Sequence, residues 1–384
     1  MQAVAFSEKA VPQRSPRPVV LLCGSLALLA LAITTLVANA ADTSATERGA
    51  RQARQLEQIR GFSIQLTDPN GRDKYIKAID DLADMGCTWV NFVIAARQED
   101  VKSESIHIDW RNLPMEGDIK RILRHAKSRN MSVMLMPIVL LNKANSKEWR
   151  GVISPKDWDA WFASYDAYIN FVVQQFAIPC NVDIFCVGSE LLSSEPFRER
   201  WVELISEIRN PPKNLAPDRP QPLPYTGKLT YSANWDHYDS ARGGPTFWDK
   251  LDYIGMNNYN ELADKPGASV EQLDKAWEPI KRDILKFVDQ QKKPFFFTEV
   301  GWHNLENTIN QPWNYVADGE IRPEEQFHAY ESFVDTWKNV PHSKFMGAFI
   351  WEWRPGADGA KEHGSYSLQN TLALGVVKKW MAMK

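Results

Sequence analysis

From residue 61 to the C-terminus, short apolar runs rich in β-branched and aromatic residues alternate with amphipathic stretches of helical period. The runs at 61–66, 88–94, 132–137, 183–187, 228–232, 252–256, 294–298 and 345–350 read as strands. The stretches at 73–85, 116–129, 155–177, 196–209, 245–250, 271–290, 323–338 and 369–381 read as helices, the third introduced by Ser154-Pro155. Strict alternation makes each pair of strands parallel, because a crossover helix returns the chain to the same end of the sheet. Eight such units predict a single (β/α)8 TIM barrel over 61–384. An open doubly wound sheet is the alternative, but no glycine-rich phosphate turn follows the first strand. One segment breaks the rhythm. Residues 210–227 hold Pro211, Pro212, Pro217, Pro220, Pro222 and Pro224, too many for a helix or central strand. They lead from a helix into a strand, so the expectation is a rigid loop on the N-terminal face of the barrel.

The first forty residues carry a different signal. Lys9, Arg14 and Arg17 precede a charge-free apolar run from Val19 to Val37, and Ala38-Asn39-Ala40 offers a small-x-small cleavage site. This is a signal peptide or an uncleaved membrane anchor through residues 19–38, with 41–60 as a polar linker. Either outcome places the body outside the cytoplasm, secreted or in the periplasm or cell envelope. The chain's net charge is -3, and removing the N-terminal segment, which carries +2, leaves -5. Such a surface excludes a nucleic-acid partner and suits a neutral substrate bound by a monomer.

Cysteine and histidine usage points away from disulfide or metal chemistry. Beyond Cys23 only Cys87, Cys180 and Cys186 remain, an odd number. Cys186 lies in an apparent strand that an extended chain puts roughly 20 Å from Cys180. Buried, unpaired thiols are expected, with no cofactor and no metal.

Two strands end in the same residue type. The fourth delivers Glu190 after Asp183–Ser189, and the seventh delivers Glu299 after Pro294–Thr298. The C-terminal rim is where a barrel presents catalytic groups, and the fourth and seventh strands face each other across it. Two carboxyls about 5–5.5 Å apart suit a retaining glycosidase, in which one protonates the leaving oxygen and the other attacks the anomeric carbon. That division of labour requires environments that separate their proton affinities. Fifteen tryptophans add flat apolar faces suited to sugar rings, although the core will claim many of them.

Six ordered blocks carry a resemblance: WRGVISP (149–155), DIFCVGSEL (183–191), LTYSANW (229–235), FWDKLDYIGMNNY (247–259), FFTEVGW (296–302) and FIWEW (349–353). Together the chain resembles glycoside hydrolase family 113, the β-mannanase-like members of the clan of retaining barrel glycosidases. The resemblance implies that Glu190 is the acid/base and Glu299 the nucleophile. It implies that Tyr259 hydrogen-bonds the nucleophile and that Trp351 floors the sugar under attack. Asn234 and Trp235 are expected to supply a hydroxyl contact and a stacking face, and Trp149 and Trp302 to extend the cleft. Glu352, between two tryptophans, is expected to orient its neighbours.

Two positions depart from the family pattern. Ser189 precedes the acid/base where much of the clan has Asn. After the third strand, Met136-Pro137-Ile138-Val139 stands where the family tends to show Lys-Pro-His. Losing a cation and an imidazole from a sugar cleft removes hydroxyl discrimination. The expected activity is therefore hydrolysis of a β-linked polysaccharide or oligosaccharide, mannan-like by resemblance. The alternatives are a β-glycosidase of different specificity (glucan, xylan or short oligosaccharide) and a catalytically silent envelope carbohydrate-binding barrel.

Overall fold

The computed structural model describes residues 58–214 and 220–383, so the expected export segment, most of the linker and Pro217 lie outside the described residues. Among the described residues nine strands appear: β1 (Ile59–Gln65), β2 (Trp89–Gln98), β3 (Ile106–His107), β4 (Ser132–Leu141), β5 (Ile184–Ser189), β6 (Lys228–Ala233), β7 (Ile254–Asn258), β8 (Phe295–Val300) and β9 (Phe345–Ile350). All but β3 pair in parallel, in the order β1-β2-β4-β5-β6-β7-β8-β9, and β9 pairs back to β1. That last pairing closes the sheet and rules out the open doubly wound alternative. β3 is a short antiparallel addition opposite Arg97 and Gln98. β1 begins at Ile59, two residues inside the stretch expected to be linker.

The helices are α1 (Arg72–Asp84), α2 (Glu116–Ser128), α3 (Trp158–Val172), α4 (Arg198–Arg209), α5 (Val270–Gln291), α6 (Pro323–Trp337) and α7 (Ala373–Met381). α3 starts later than Ser154-Pro155 suggests, because Asp157 is its cap and accepts from the amides of Asp159 and Ala160. A π-turn extends it through Val173–Ala177.

The helix expected at 245–250 is absent. Two short 3-10 turns, Ser240–Arg242 and Trp248–Lys250, connect β6 to β7 instead. Gly243, Gly244 and Pro245 interrupt any helical run there, by backbone freedom and by the missing amide hydrogen. Aromatic rings fill the helix's place: Phe247 stacks on Trp201 with ring centroids 5.0 Å apart, and Trp248 packs edge-on to Phe287.

The strand pleat sorts the core into two bodies. On β4, Met134, Met136 and Ile138 point into the barrel with Trp89, Val93, Ile184, Cys186, Phe296 and Phe349. Val133, Leu135 and Val139 point outward, into the shell between strands and helices. Cys87, Cys180 and Cys186 are all buried and free, as the spacing argument expects. The described parts of the proline-rich stretch, residues 210–214 and 220–227, have no regular structure and lie on the N-terminal face, opposite the strand ends that carry the two glutamates. They are tied down by Tyr225, whose hydroxyl donates to the Val182 carbonyl at 3.0 Å, and by paired hydrogen bonds between Leu223 and Gln174.

Candidate active site

Glu299 sits inside β8, one residue from its end. Phe296 points into the barrel, and so does Thr298, whose hydroxyl meets Ser232 at 2.6 Å. Strict alternation would then send Glu299 outward. The register of β8 shifts against both β7 and β9 near this point, and such a bulge re-aims the following side chain. As a result the Glu299 carboxylate, fully shielded by its surroundings, accepts a hydrogen bond from the Tyr259 hydroxyl at 2.9 Å.

Glu190 follows β5 directly and is held differently. Its backbone takes a left-handed conformation, φ 53°, which costs a branched-free L residue on the order of 1 kcal/mol or more. Its amide donates to the Ser232 carbonyl at 2.9 Å, fixing that turn against β6. The carboxylate pairs with the Arg150 guanidinium, which arrives from the loop between β4 and α3. Arg150 also lies close enough to feel the charge of Glu299.

Charge inventory decides the protonation of this cluster. Burial raises the proton affinity of Glu190, Arg150 opposes that, and Asp236 adds to it. Glu299 is likewise raised by burial and by the Glu190 charge, against Arg150 and the Tyr259 hydrogen bond. Two buried carboxyls beside one cation favour a single shared proton at neutral pH, since one carboxylate already balances Arg150. Burial works to lower the Arg150 guanidinium, but the neighbouring Glu190 and Glu299 charges outweigh it, so it stays charged. Glu299 Oε1, Asn258 Nδ2 and Ser189 Oγ have no hydrogen-bond partner among the described residues.

The other sequence candidates fall into two groups. Asn234 and Trp235 follow β6 and converge on Asn257 of β7: the Trp235 amide donates to its Oδ1 at 2.7 Å, and its Nδ2 donates to Asn234 Oδ1 at 3.2 Å. Trp351, half-buried beyond β9, packs on the inner barrel cluster. Glu352 next to it accepts from Gln65 Nε2 at 2.7 Å and raises the proton affinity of Glu299. Trp149, also half-buried, lies over Gly151, where a Cβ would stand 2.4 Å from its ring. Only a glycine lets the ring and the turn carrying Arg150 pack this closely.

Trp302 departs from its expected place. Its ring is fully buried, 5.0 Å edge-on from Tyr330 of α6 and beside Phe333. It belongs to the shell between β8 and α6, because the chain turns outward just after Glu299. Sequence reading also passed over Arg150, Asp236 and Asn257, although Arg150 lies within the WRGVISP block.

The sequence signature described as glycoside hydrolase family 113 matches residues 71–370, more than three quarters of the chain. The protein belongs to that family. It is therefore a glycosidase, and its closed barrel and rim glutamates fit that class. Two structures of a family 113 β-1,4-mannanase superpose with TM-scores of 0.73 and 0.72 at 23% and 24% identity, covering 85% of this chain and 100% of theirs. The family 113 β-mannanase AaManA from Alicyclobacillus acidocaldarius gives 0.69 at 24% identity, covering 85% of this chain and 97% of that one. At such identities the likeness speaks for the fold. No curated protein sequence matches the chain. Within this family 113 chain the barrel's third strand, β4, keeps an apolar rim, with its Ile138 and Leu140 on the inner cluster beside Ala95 of β2. The loop that follows that strand nonetheless returns a cation to the site, as Arg150.

Proposed function

We propose that the protein is a retaining glycosidase acting on a β-linked mannan, with Glu190 as acid/base and Glu299 as nucleophile. The observation that carries this reading is the convergence of two buried carboxyls, from β5 and β8, on one guanidinium and one tyrosine hydroxyl. The mannan assignment draws on family membership and on the β-mannanases of like fold.

In the first step the Glu299 carboxylate attacks the anomeric carbon. The bond from that carbon to the glycosidic oxygen breaks, and the Glu190 proton moves to the departing oxygen. This leaves a glycosyl ester on Glu299. In the second step Glu190, now a carboxylate, takes a proton from water. The water oxygen bonds to the anomeric carbon and Glu299 leaves as carboxylate, so configuration is retained. The productive form carries the shared proton on Glu190 and the charge on Glu299. In the free site Arg150 pairs with Glu190, so a sugar entering between them must loosen that pair. Arg150 then stabilises the Glu299 charge, which it already senses. Tyr259 supports the same ionised form by hydrogen bonding. Trp351 supplies an apolar face at the mouth for the sugar ring, and Asn234 with Trp235 a further polar and aromatic wall.

Assay of wild type and Glu299→Gln on β-mannan, β-glucan and xylan tests the reading, with the product anomer followed by NMR. Mannan cleavage giving the β-anomer first, lost in the variant, supports it. Unchanged activity in the variant, or inversion, ends it. The apolar rim of Ala95, Ile138 and Leu140 favours a second reading, a retaining enzyme for another β-glycan, and faster turnover of glucan or xylan would select it. Sugar binding without turnover on any substrate would point instead to a silent binding barrel. The apolar N-terminal run supports the further proposal that the body works outside the cytoplasm, secreted or tethered.

A further inference from the structure

We propose that Glu195 is a positioning residue for the acid/base: through Tyr231 it holds the Leu191 amide, and with it the left-handed turn that aims the Glu190 carboxyl. The inference rests on the acid/base reading of Glu190. Glu195 lies five residues beyond Glu190, just past the 3-10 turn Leu192–Ser194, and is fully buried. Its Oε1 accepts from the Tyr231 hydroxyl at 2.7 Å. That same hydroxyl accepts from the Leu191 amide at 2.9 Å. Leu191 is the residue after Glu190, so the relay grips one side of the strained φ 53° position. The Glu190 amide, bonded to the Ser232 carbonyl, grips the other. Both grips come from adjacent residues of β6.

The relay cannot easily shift. The Tyr231 ring is wedged 5.3 Å from both Trp201 and Phe247, and a Cβ on Gly188 would stand 2.9 Å from it. Tyr231 therefore presents its hydroxyl at one point, and Glu195 orients the proton on it. Donating to Glu195 leaves the oxygen lone pairs free for Leu191; without an acceptor the hydroxyl would have no fixed direction. A carboxyl is a costly group to bury in this aromatic shell, and burial pushes its pKa up to about 8. An apolar side chain of similar size would be cheaper if filling space were its only task.

Mispositioning the acid has a kinetic signature that loss of stability lacks. A departing phenol needs protonation, whereas a departing dinitrophenol does not. Aryl β-mannobiosides carrying each leaving group, assayed on the full chain, separate the two. Glu195→Leu is expected to lose about 100-fold in kcat/KM with phenol and less than about threefold with dinitrophenol. Glu195→Gln, which still offers an acceptor oxygen to Tyr231, should restore both. Tyr231→Phe should repeat the Leu result and serves if that variant folds poorly. Equal losses on both substrates, or no loss, would overturn the proposal. Glu190→Ala is the control: a split there without one in Glu195→Leu removes only the positioning role, and no split in Glu190→Ala removes the acid/base reading with it. A crystal structure of Glu195→Leu with the Leu191–Tyr231 bond and the Glu190 turn intact would also overturn it.

Discussion

Glu190 and Glu299 reach the same barrel mouth, but Glu190 is held by a loop cation and a left-handed backbone, whereas Glu299 is held within a strand by register and a tyrosine. The contrast fits the tasks proposed for them. A nucleophile keeps one position through both chemical steps, and a strand paired on both edges provides it. An acid/base must trade a proton with changing partners, and its guanidinium neighbour comes from a loop that is freer to adjust. Glu190 thus depends on parts of the chain far from its own strand, and Glu299 mainly on β7, β8 and β9.

Substitutions can break that contrast or sharpen it. The largest effect is expected from Glu299→Gln, which removes the proposed nucleophile and should lower kcat by at least about 10³-fold with little change in KM. Next comes Trp302→Ala. Since that ring fills the shell between β8 and α6 and does not line the mouth, the expected result is a stability loss of about 3–5 kcal/mol, seen as a lower denaturation midpoint. KM of the remaining folded enzyme should hold; a large KM change would return Trp302 to the cleft.

Arg150→Met should lower kcat about 100-fold by removing the cation that stabilises the Glu299 charge once substrate has entered. Because Arg150 holds down the proton affinity of both glutamates, its loss should move both limbs of the kcat/KM pH profile to higher pH. Tyr259→Phe is the smaller counterpart, about tenfold in kcat. It removes a donor from Glu299 alone, so only the acid limb should move upward. If both variants shifted both limbs alike, the separate support of the two glutamates would be refuted.

Much of the fold was legible because its signal is local. A strand buried on both faces must be apolar, and a covering helix must be amphipathic; eight repeats of that pattern imply closure. The missing helix between β6 and β7 shows the limit. Residues 246–250 have helical composition, but the preceding Gly243, Gly244 and Pro245, and a pocket of rings from Trp201 and Phe287, favour a compact aromatic loop. Tryptophan was the least legible residue. Trp351 at the mouth and Trp302 in the shell both follow a strand end, and only the direction in which the chain leaves the barrel separates them.

By itself the sequence determined the number of units, the two strand-end glutamates and the family blocks, because each depends on residues close together in the chain. Tertiary structure decided how those glutamates are served. Arg150 stands forty residues before Glu190, Tyr259 forty before Glu299, and Tyr231 reaches back thirty-six residues to Glu195. Barrel closure brings these loops and strands to one rim, and no local pattern announces which of them will meet there.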